Sequence, residues 1–328
     1  MRVLVLGGTR FIGRRITEEL VSRGDEVCVV HRGRTAPAIP VRQLHVDRRD
    51  LATAASRIRD FAPDAVVDTL AMTRADAEVL PHLPDVPLVV LSSMDVYRAY
   101  ERLLAGRGGI PVPIAEDSPL REERYPHRGA ASPDGYDIDM DSYDKLDVEP
   151  LYLARGGTVL RLGVVYGERD PQAREEFVLR RVRAGRGRIP VGPANLLWSR
   201  VHVDDVAQVV LAALDNPAAR GEIFNICEST TVTIGDWMRQ ILDAAGHQAE
   251  LVEVADVPPD LVLTGAPAQH LLFSNDKARR VLGWEPADPA VAVARSVRWH
   301  LAHPPADSDP DFSTDDRALG GPACAPSD

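Results

Sequence analysis

The sequence predicts an α/β fold, a doubly wound parallel sheet with a smaller, partly interleaved C-terminal domain. Two observations carry this. The chain opens on an aliphatic run, Val3-Leu4-Val5-Leu6, and passes through Gly7-Gly8-Thr9-Arg10-Phe11-Ile12-Gly13 into a helical pattern. Beyond it, short aliphatic runs alternate with amphipathic stretches, the order of a parallel sheet with crossover helices. First strands buried on both faces read as continuous aliphatic runs. Gly7 permits a sharp turn, and Gly13 lets the helix approach the strand closely. Ile12, Ile16 and Leu20 share one helical face, so the segment 12–23 docks on the sheet. The N–H groups at the start of that helix form a site for a pyrophosphate. Strand, turn and amphipathic helix in this order point to a dinucleotide.

The remaining elements follow in order. Glu26–Val30 reads as the second strand, Gln43–Val46 as a short third and Ala65–Thr69 as a fourth. Pro87–Leu91 and Thr158–Leu162 are the fifth and sixth. Helical stretches are expected at 50–61, 74–81 and 142–155, the last with a kink or irregular turn at Pro150. Segment 98–140 is rich in Gly, Pro and charge, and loops of that length are lids, binding loops or disorder. Later come a helix at Phe177–Ala184, a turn-rich stretch at Arg186–Gly192 and a strand leading into a helix over Val201–Leu214. Helices at Ile234–Ala245, Lys277–Leu282 and Pro289–Leu301 complete the pattern. The nucleotide-binding domain is thus read as 1–168 and 199–228, with 98–140 as a candidate lid insertion. The substrate domain is read as 169–198 and 229–303.

Composition narrows the function classes. The 328 residues are 45% hydrophobic, with no apolar run of membrane-spanning length and no basic–apolar–small leader, which predicts a cytoplasmic protein without a membrane partner. Cys28, Cys227 and Cys324 lack paired spacing, so no disulfide frame and no zinc site is expected. The net charge is −11, and residues 304–328 hold six Asp against one Arg. That tail lacks apolar periodicity and is expected to be disordered. The acidic balance of the rest argues against nucleic acid. Only Lys145 and Lys277 are lysines among 38 basic residues, which singles each of them out.

Several motifs together resemble the extended short-chain dehydrogenase/reductase family. They are GGTRFIG, then Ser92-Ser93-Met94-Asp95-Val96-Tyr97, then Lys145, then Arg161-Leu162-Gly163-Val164-Val165-Tyr166-Gly167. Val201-His202-Val203-Asp204-Asp205-Val206-Ala207 and the segment Lys277–Trp284 continue the similarity over roughly residues 1–300. The resemblance implies a Rossmann domain, NAD or NADP, and hydride chemistry on a carbonyl or carbinol. Two departures stand out. The family's Tyr four residues before the Lys is replaced by Asp141, and Tyr143, two before, would face away from Lys145 on a regular helix. Val164 replaces the Asn of the nucleotide-sugar members, and no diphosphate-clamping Arg is found between 256 and 275. The chain is thus similar to the atypical branch, and within it to the ketoreductases of aromatic polyketide biosynthesis.

The cofactor residues expected on these grounds are Gly7, Thr9, Arg10, Phe11, Ile12 and Gly13 in the turn, with His31, Arg32 and Arg34 after the second strand. Asp47 is assigned to the adenine, Ala71 to the nicotinamide half and Lys145 to the nicotinamide ribose. An NAD site ends its second strand on an acidic residue, whereas this one ends on His31 followed by arginines, which favours NADPH. Ser93, Lys145 and Tyr143 are the catalytic candidates, Ser93 bonding the carbonyl oxygen and Lys145 favouring the alkoxide. With a helical 142–155, the proton is expected from the substrate or water. Tyr143 serves only if the chain before Lys145 is irregular. An ionised Asp141 would oppose the alkoxide, and Asp95 reads equally as a cap or surface carboxylate.

Tyr100, Tyr125 and Tyr136 equip the candidate lid to cover a flat substrate. His202, Asp204 and Asp205 read as a strand–helix junction capped by one of the aspartates, not as a metal site. The expected partner is a small-molecule ketone. Two other readings stay open, a nucleotide-sugar epimerase or reductase and a non-catalytic NADP-binding sensor or RNA-associated protein. A homodimer through the Lys145 helix is a family habit that Pro150 puts in doubt.

Overall fold

The aliphatic runs become strands of a parallel sheet. The structure is a computed structural model describing residues 1–132, 136–306 and 311–320. Its strands are β1 (Arg2–Leu6), β2 (Glu26–His31), β3 (Arg42–His45), β4 (Ala65–Asp68), β5 (Leu88–Ser93) and β6 (Thr158–Leu162), then β7 (Val164–Tyr166), β8 (Arg188–Val191), β9 (Arg200–His202), β10 (Ile223–Ile226) and β11 (Glu250–Glu253). The helices are α1 (Phe11–Ser22), α2 (Ala55–Phe61), α3 (Arg74–Ala77), α4 (Arg98–Leu104), α5 (Lys145–Leu153) and α6 (Glu176–Arg183), followed by α7 (Val203–Asp215), α8 (Ile234–Ala244), α9 (Asp276–Leu282), α10 (Pro289–Ala302) and α11 (Ser313–Ala318). Seven strands form the main sheet in the order β10-β6-β5-β4-β1-β2-β3. Every pairing in it is parallel. The order reverses between β1 and β4, and ligand crevices open at such switch points, beyond the C-terminal strand ends.

Strand side chains alternate between the two faces of the sheet. Val3 and Val5 pack with Ile16 and Leu20 of α1 and with Val206, Val209 and Val210 of α7. Leu4 and Leu6 pack on the other face with Ile58 and Phe61 of α2 and with Val148 and Tyr152 of α5. A third cluster joins Val178, Ile189, Trp237, Met238, Ile241 and Val293 from α6, β8, α8 and α10. Helix α9 packs instead on the main sheet, through Ala278 and Leu282. Cys28 and Cys227 are free and fully buried, while Cys324 lies outside the described residues.

The structure differs from the sequence reading in several places. Helix α5 starts at Lys145 rather than 142, and it runs past Pro150 to Leu153. The stretch read as turns at Arg186–Gly192 contains β8, which pairs with β11. The long segment 98–140 begins with α4, and the expected helix at 74–81 is a single turn, α3, followed by a 3₁₀ turn. His202, not an aspartate, caps α7 by accepting the Asp204 N–H. Within the tail expected to be disordered, 311–320 carries α11, and residues 307–310 and 321–328 lie outside the described residues. Charge rather than apolar area docks this helix, which explains why periodicity missed it. Arg181, fully buried, donates to Asp315 at 2.8 and 2.7 Å and to Asp260 at 2.8 Å. Replacing Asp315 by Ala leaves Arg181 half-partnered, at an expected cost of about 2 kcal/mol. Denaturant unfolding of Asp315→Ala against the parent measures this, and unchanged stability removes the docking contact.

Candidate active site

The cofactor residues read from sequence converge on one cleft of about 1150 Å³ at the C-terminal ends of the strands. Gly7, Thr9, Arg10, Phe11, Ile12 and Gly13 line it from the first turn. His31, Arg32 and Arg34 line it after β2, and Asp47 after β3. Gly7 has φ +92°, a conformation only glycine adopts freely. A Cβ on Gly13 would stand 2.0 Å from the Gly7 carbonyl oxygen, so α1 meets the turn at backbone contact. Helix α1 has neither a side-chain cap nor an acidic residue in its first turn. Its leading N–H groups are therefore left for an anionic ligand, and the turn fits a pyrophosphate.

Three guanidinium groups gather at the outer end of this half. Arg32 donates to Asp137 at 2.7 Å, and Arg34 reaches the same carboxylate oxygen at 3.5 Å. Arg10 donates to Thr35 at 3.2 Å and lies over the Tyr136 ring at 5.6 Å from its centroid. His31 adds no charge here. Burial lowers its pKa below the usual 6.5, and its Nε2 shares a hydrogen bond of 3.0 Å with Gln43 Oε1. The Asp47 carboxylate accepts the Arg49 N–H at 3.0 Å.

Lys145 stands at the junction of the two halves. Its Nζ donates to the carbonyls of Ala71 at 2.7 Å and Leu91 at 3.0 Å. Burial lowers its pKa to about 8, so it remains mostly protonated at neutral pH. Ala71 thus serves as the acceptor that orients the lysine; it is fully buried and does not itself line the cleft. Ser93 ends β5 with its hydroxyl oxygen accepting the Asp95 N–H at 3.1 Å.

Tyr143 occupies a place that helical periodicity did not anticipate. Asp144, fully buried and extended at φ −161°, is the N-cap of α5 and accepts the Leu146 N–H at 2.9 Å. The same carboxylate accepts from Arg121, from Arg124 at 2.7 Å and from the Tyr125 N–H at 3.0 Å, all on segment 98–140. Burial opposes its ionisation, but these arginines and N–H groups bring its pKa to about 2. The residue before the cap is therefore not helical, and Tyr143 forms an isolated antiparallel bridge with Thr73. Its ring centroid is 5.8 Å from Lys145 Nζ, which corrects the expectation that it faces away.

The Tyr143 hydroxyl donates to Asp95 Oδ2 at 3.0 Å, and His127 Nε2 meets the same oxygen at 3.2 Å. Burial first, then Asp95, raises the Tyr143 pKa well above 10, while the nearby Ser93 hydroxyl acts the other way. The phenol is a protonated donor at neutral pH. Sequence reasoning left Asp95 undecided and missed His127 and Asp144. Only Asp144 carried a signal, an acidic residue standing directly before a helix.

Aromatic and aliphatic side chains also line the cleft. Tyr100, Tyr125 and Tyr136 line it from segment 98–140, and Trp198, Leu271 and Phe273 supply an apolar wall. Trp198 and Leu271 are paired by an isolated parallel bridge, which fixes that wall. Elsewhere, ligand atoms of Glu168, His202 and Asp204 lie within 4.8 Å of one another. Arg295 bonds to both carboxylates, and Arg15 donates to Asp204 at 2.5 Å. These guanidinium groups already neutralise the cluster, and no metal is assigned to it. A test of the glycine turn follows. Gly13→Ala drives a methyl group into the Gly7 carbonyl and should weaken the binding of reduced nicotinamide dinucleotide about tenfold or more. Fluorescence titration measures this, and unchanged affinity would separate the turn from the ligand.

The NAD dependent epimerase/dehydratase family matches residues 3–79 and 152–227. Chloroplast stem-loop binding protein of 41 kDa b from Arabidopsis thaliana is 28% identical over 97% of this chain and 84% of its own length. The 3-diazoavenalumate denitrifying reductase of a Streptomyces species is 25% identical over 88% of this chain and 97% of its own. A UDP-glucose 4-epimerase from Thermotoga maritima shares the fold, with a TM-score of 0.66 at 20% identity over 91% of this chain and 98% of that one. The family match takes in the nucleotide-binding turn and the β6–β10 half of the sheet, and together with these relatives it supports an extended short-chain dehydrogenase/reductase, an NAD(P)-dependent oxidoreductase.

Proposed function

We propose that the protein is an NADPH-dependent ketoreductase that reduces a carbonyl of an aromatic, polyketide-like natural product. The observation that carries this reading is the position of Tyr143, which stands outside α5 between Asp95 and Lys145. When bound, the reduced cofactor supplies a hydride. Ser93 hydrogen-bonds the carbonyl oxygen, and Tyr143 delivers the proton as negative charge develops there. Lys145 holds the ribose and favours the alkoxide through its charge. Burial and Asp95 keep the phenol protonated, so at neutral pH it carries a proton to give and is not in the form that takes one. An epimerase must first remove a hydroxyl proton, so this arrangement favours reduction. The wall of Trp198, Leu271 and Phe273 suits a flat apolar body.

Arg10, Arg32 and Arg34, with no carboxylate at the end of β2, support NADPH over NADH. The stem-loop-binding relative supports RNA as a second reading. The net charge of −11 counts against it, because such binding depends on a basic footprint.

The assays that test the function are NADPH oxidation with polycyclic aromatic ketones and, because epimerisation consumes no NADPH, chromatographic turnover of nucleotide sugars. Turnover of nucleotide sugars alone would favour the epimerase reading. Tyr143→Phe should lower kcat about 10²–10⁴-fold, the range for loss of a positioned acid, with cofactor affinity unchanged. Activity close to the parent would return the proton to the substrate or to water. Arg32→Ala with Arg34→Ala should weaken NADPH binding about tenfold or more and leave NADH little changed. Equal losses for both cofactors would remove the phosphate preference.

A further inference from the structure

The Arg174 guanidinium, on the wall of the cleft, has no hydrogen-bond partner among the described residues. Arg174 precedes α6 in a loop turned by Asp170, whose two carboxylate oxygens accept the N–H groups of Gln172 at 3.0 Å and Arg174 at 3.2 Å. The turn places Gln172 and Arg174 on the cleft wall. The Arg174 Nε is buried with no hydrogen-bond partner, and its nearest carboxylate oxygen, on Asp170, is 3.7 Å away. That distance is ionic contact rather than a hydrogen bond. The guanidinium makes no hydrogen bond to any described residue. Its side chain is 29% exposed, and that exposure opens on the cleft. A guanidinium withdrawn from water without a fitted acceptor is costly to keep unless a ligand completes it.

Its location is on the substrate side. Tyr100, pushed up to about 12 chiefly by burial, feels the charges of both Asp95 and Arg174 and lines the same cleft. Trp198, Leu271 and Phe273 line the same cleft. Arg128, the other cation of this end, lies over the Tyr125 ring at 4.9 Å. With Asp170 beside it, Arg174 offers one positive charge to a ligand, too little to neutralise a diphosphate.

We propose that Arg174 recognises an anion and that the substrate carries one acidic oxygen group, a carboxylate or an acidic phenol, on its aromatic body. The proposal rests on the reading of the cleft as the substrate site of an aromatic ketoreductase, and it can fail separately from it. The group lies beyond the reacting carbonyl and takes no part in hydride or proton transfer. It sets orientation, because a bidentate acceptor on Arg174 fixes which end of a flat molecule enters first.

The test measures calorimetric binding of 2-naphthoate, ionised 2,4-dinitro-1-naphthol and neutral 2-naphthamide to the full chain saturated with NADP⁺. The parent should prefer at least one of the two anions over the amide by about tenfold or more, the usual worth of a charge-assisted hydrogen bond. Which anion binds tighter distinguishes the carboxylate from the phenol. Arg174→Gln should abolish the preference, and Arg174→Lys should keep part of it. Unchanged NADPH affinity in both variants shows that they remain folded. A preference that survives in Arg174→Gln, or is absent from the parent, overturns the proposal. So does UDP-glucose competing with naphthoate through Arg174, which would make the residue a diphosphate clamp. If no aromatic ketone is reduced while the Arg174-dependent preference holds, the ketoreductase reading falls and the anion subsite stands.

Discussion

The half of the cleft that holds Lys145 and Tyr143 depends on the buried carboxylate of Asp144. It receives two guanidinium groups and two backbone N–H groups, and it does so at the position where α5 begins. A buried ion pair contributes little net stability compared with apolar packing, yet removing one partner leaves an uncompensated charge that costs about 3–5 kcal/mol. The arrangement therefore acts on geometry more than on stability. It stops the helix one residue before Lys145 and holds the preceding backbone extended. A tyrosine two positions from the lysine then reaches the neighbourhood that a helical spacing of four usually supplies.

The cleft divides into zones of different electrostatics along its length. Its outer end is basic and solvent-facing, where Arg32 and Arg34 meet Asp137. Exposed pairs of this kind contribute about 0–1 kcal/mol and are readily exchanged for a ligand phosphate. In the middle, Lys145, Tyr143 and Asp95 are almost sealed from water, so each charge strongly affects its neighbours. The far end is an aromatic and aliphatic wall with Arg128 and Arg174 set beside it. In the proposed reaction, affinity for the nucleotide and control of the proton are thus handled by different side chains.

Much of the fold was legible in the sequence because a central parallel strand leaves a continuous aliphatic signature, as at Val3–Leu6 and Ala65–Asp68. The first turn was legible because its glycines answer to backbone contact, here between Gly13 and Gly7. Strand β8 was not, since its partner β11 lies about sixty residues later and half of its residues are Arg and Pro. Helix α11 was missed because its anchor is Asp315 on Arg181, a long-range charge contact with no local pattern. Tyr143 was misplaced for a related reason. Periodicity assumes that a helix continues, and what stops this one is Arg121, over twenty residues upstream.

The segment that lines the cleft also sets where α5 begins, since Arg121, Arg124 and Tyr125 all hold Asp144. In most scaffolds a specificity loop diversifies freely while the reactive groups stay on the rigid frame. Here the two inherit together. A lineage exploring new substrates by lengthening or replacing this loop would displace Tyr143 at the same step, so drift in substrate range is confined to changes that spare three anchoring positions.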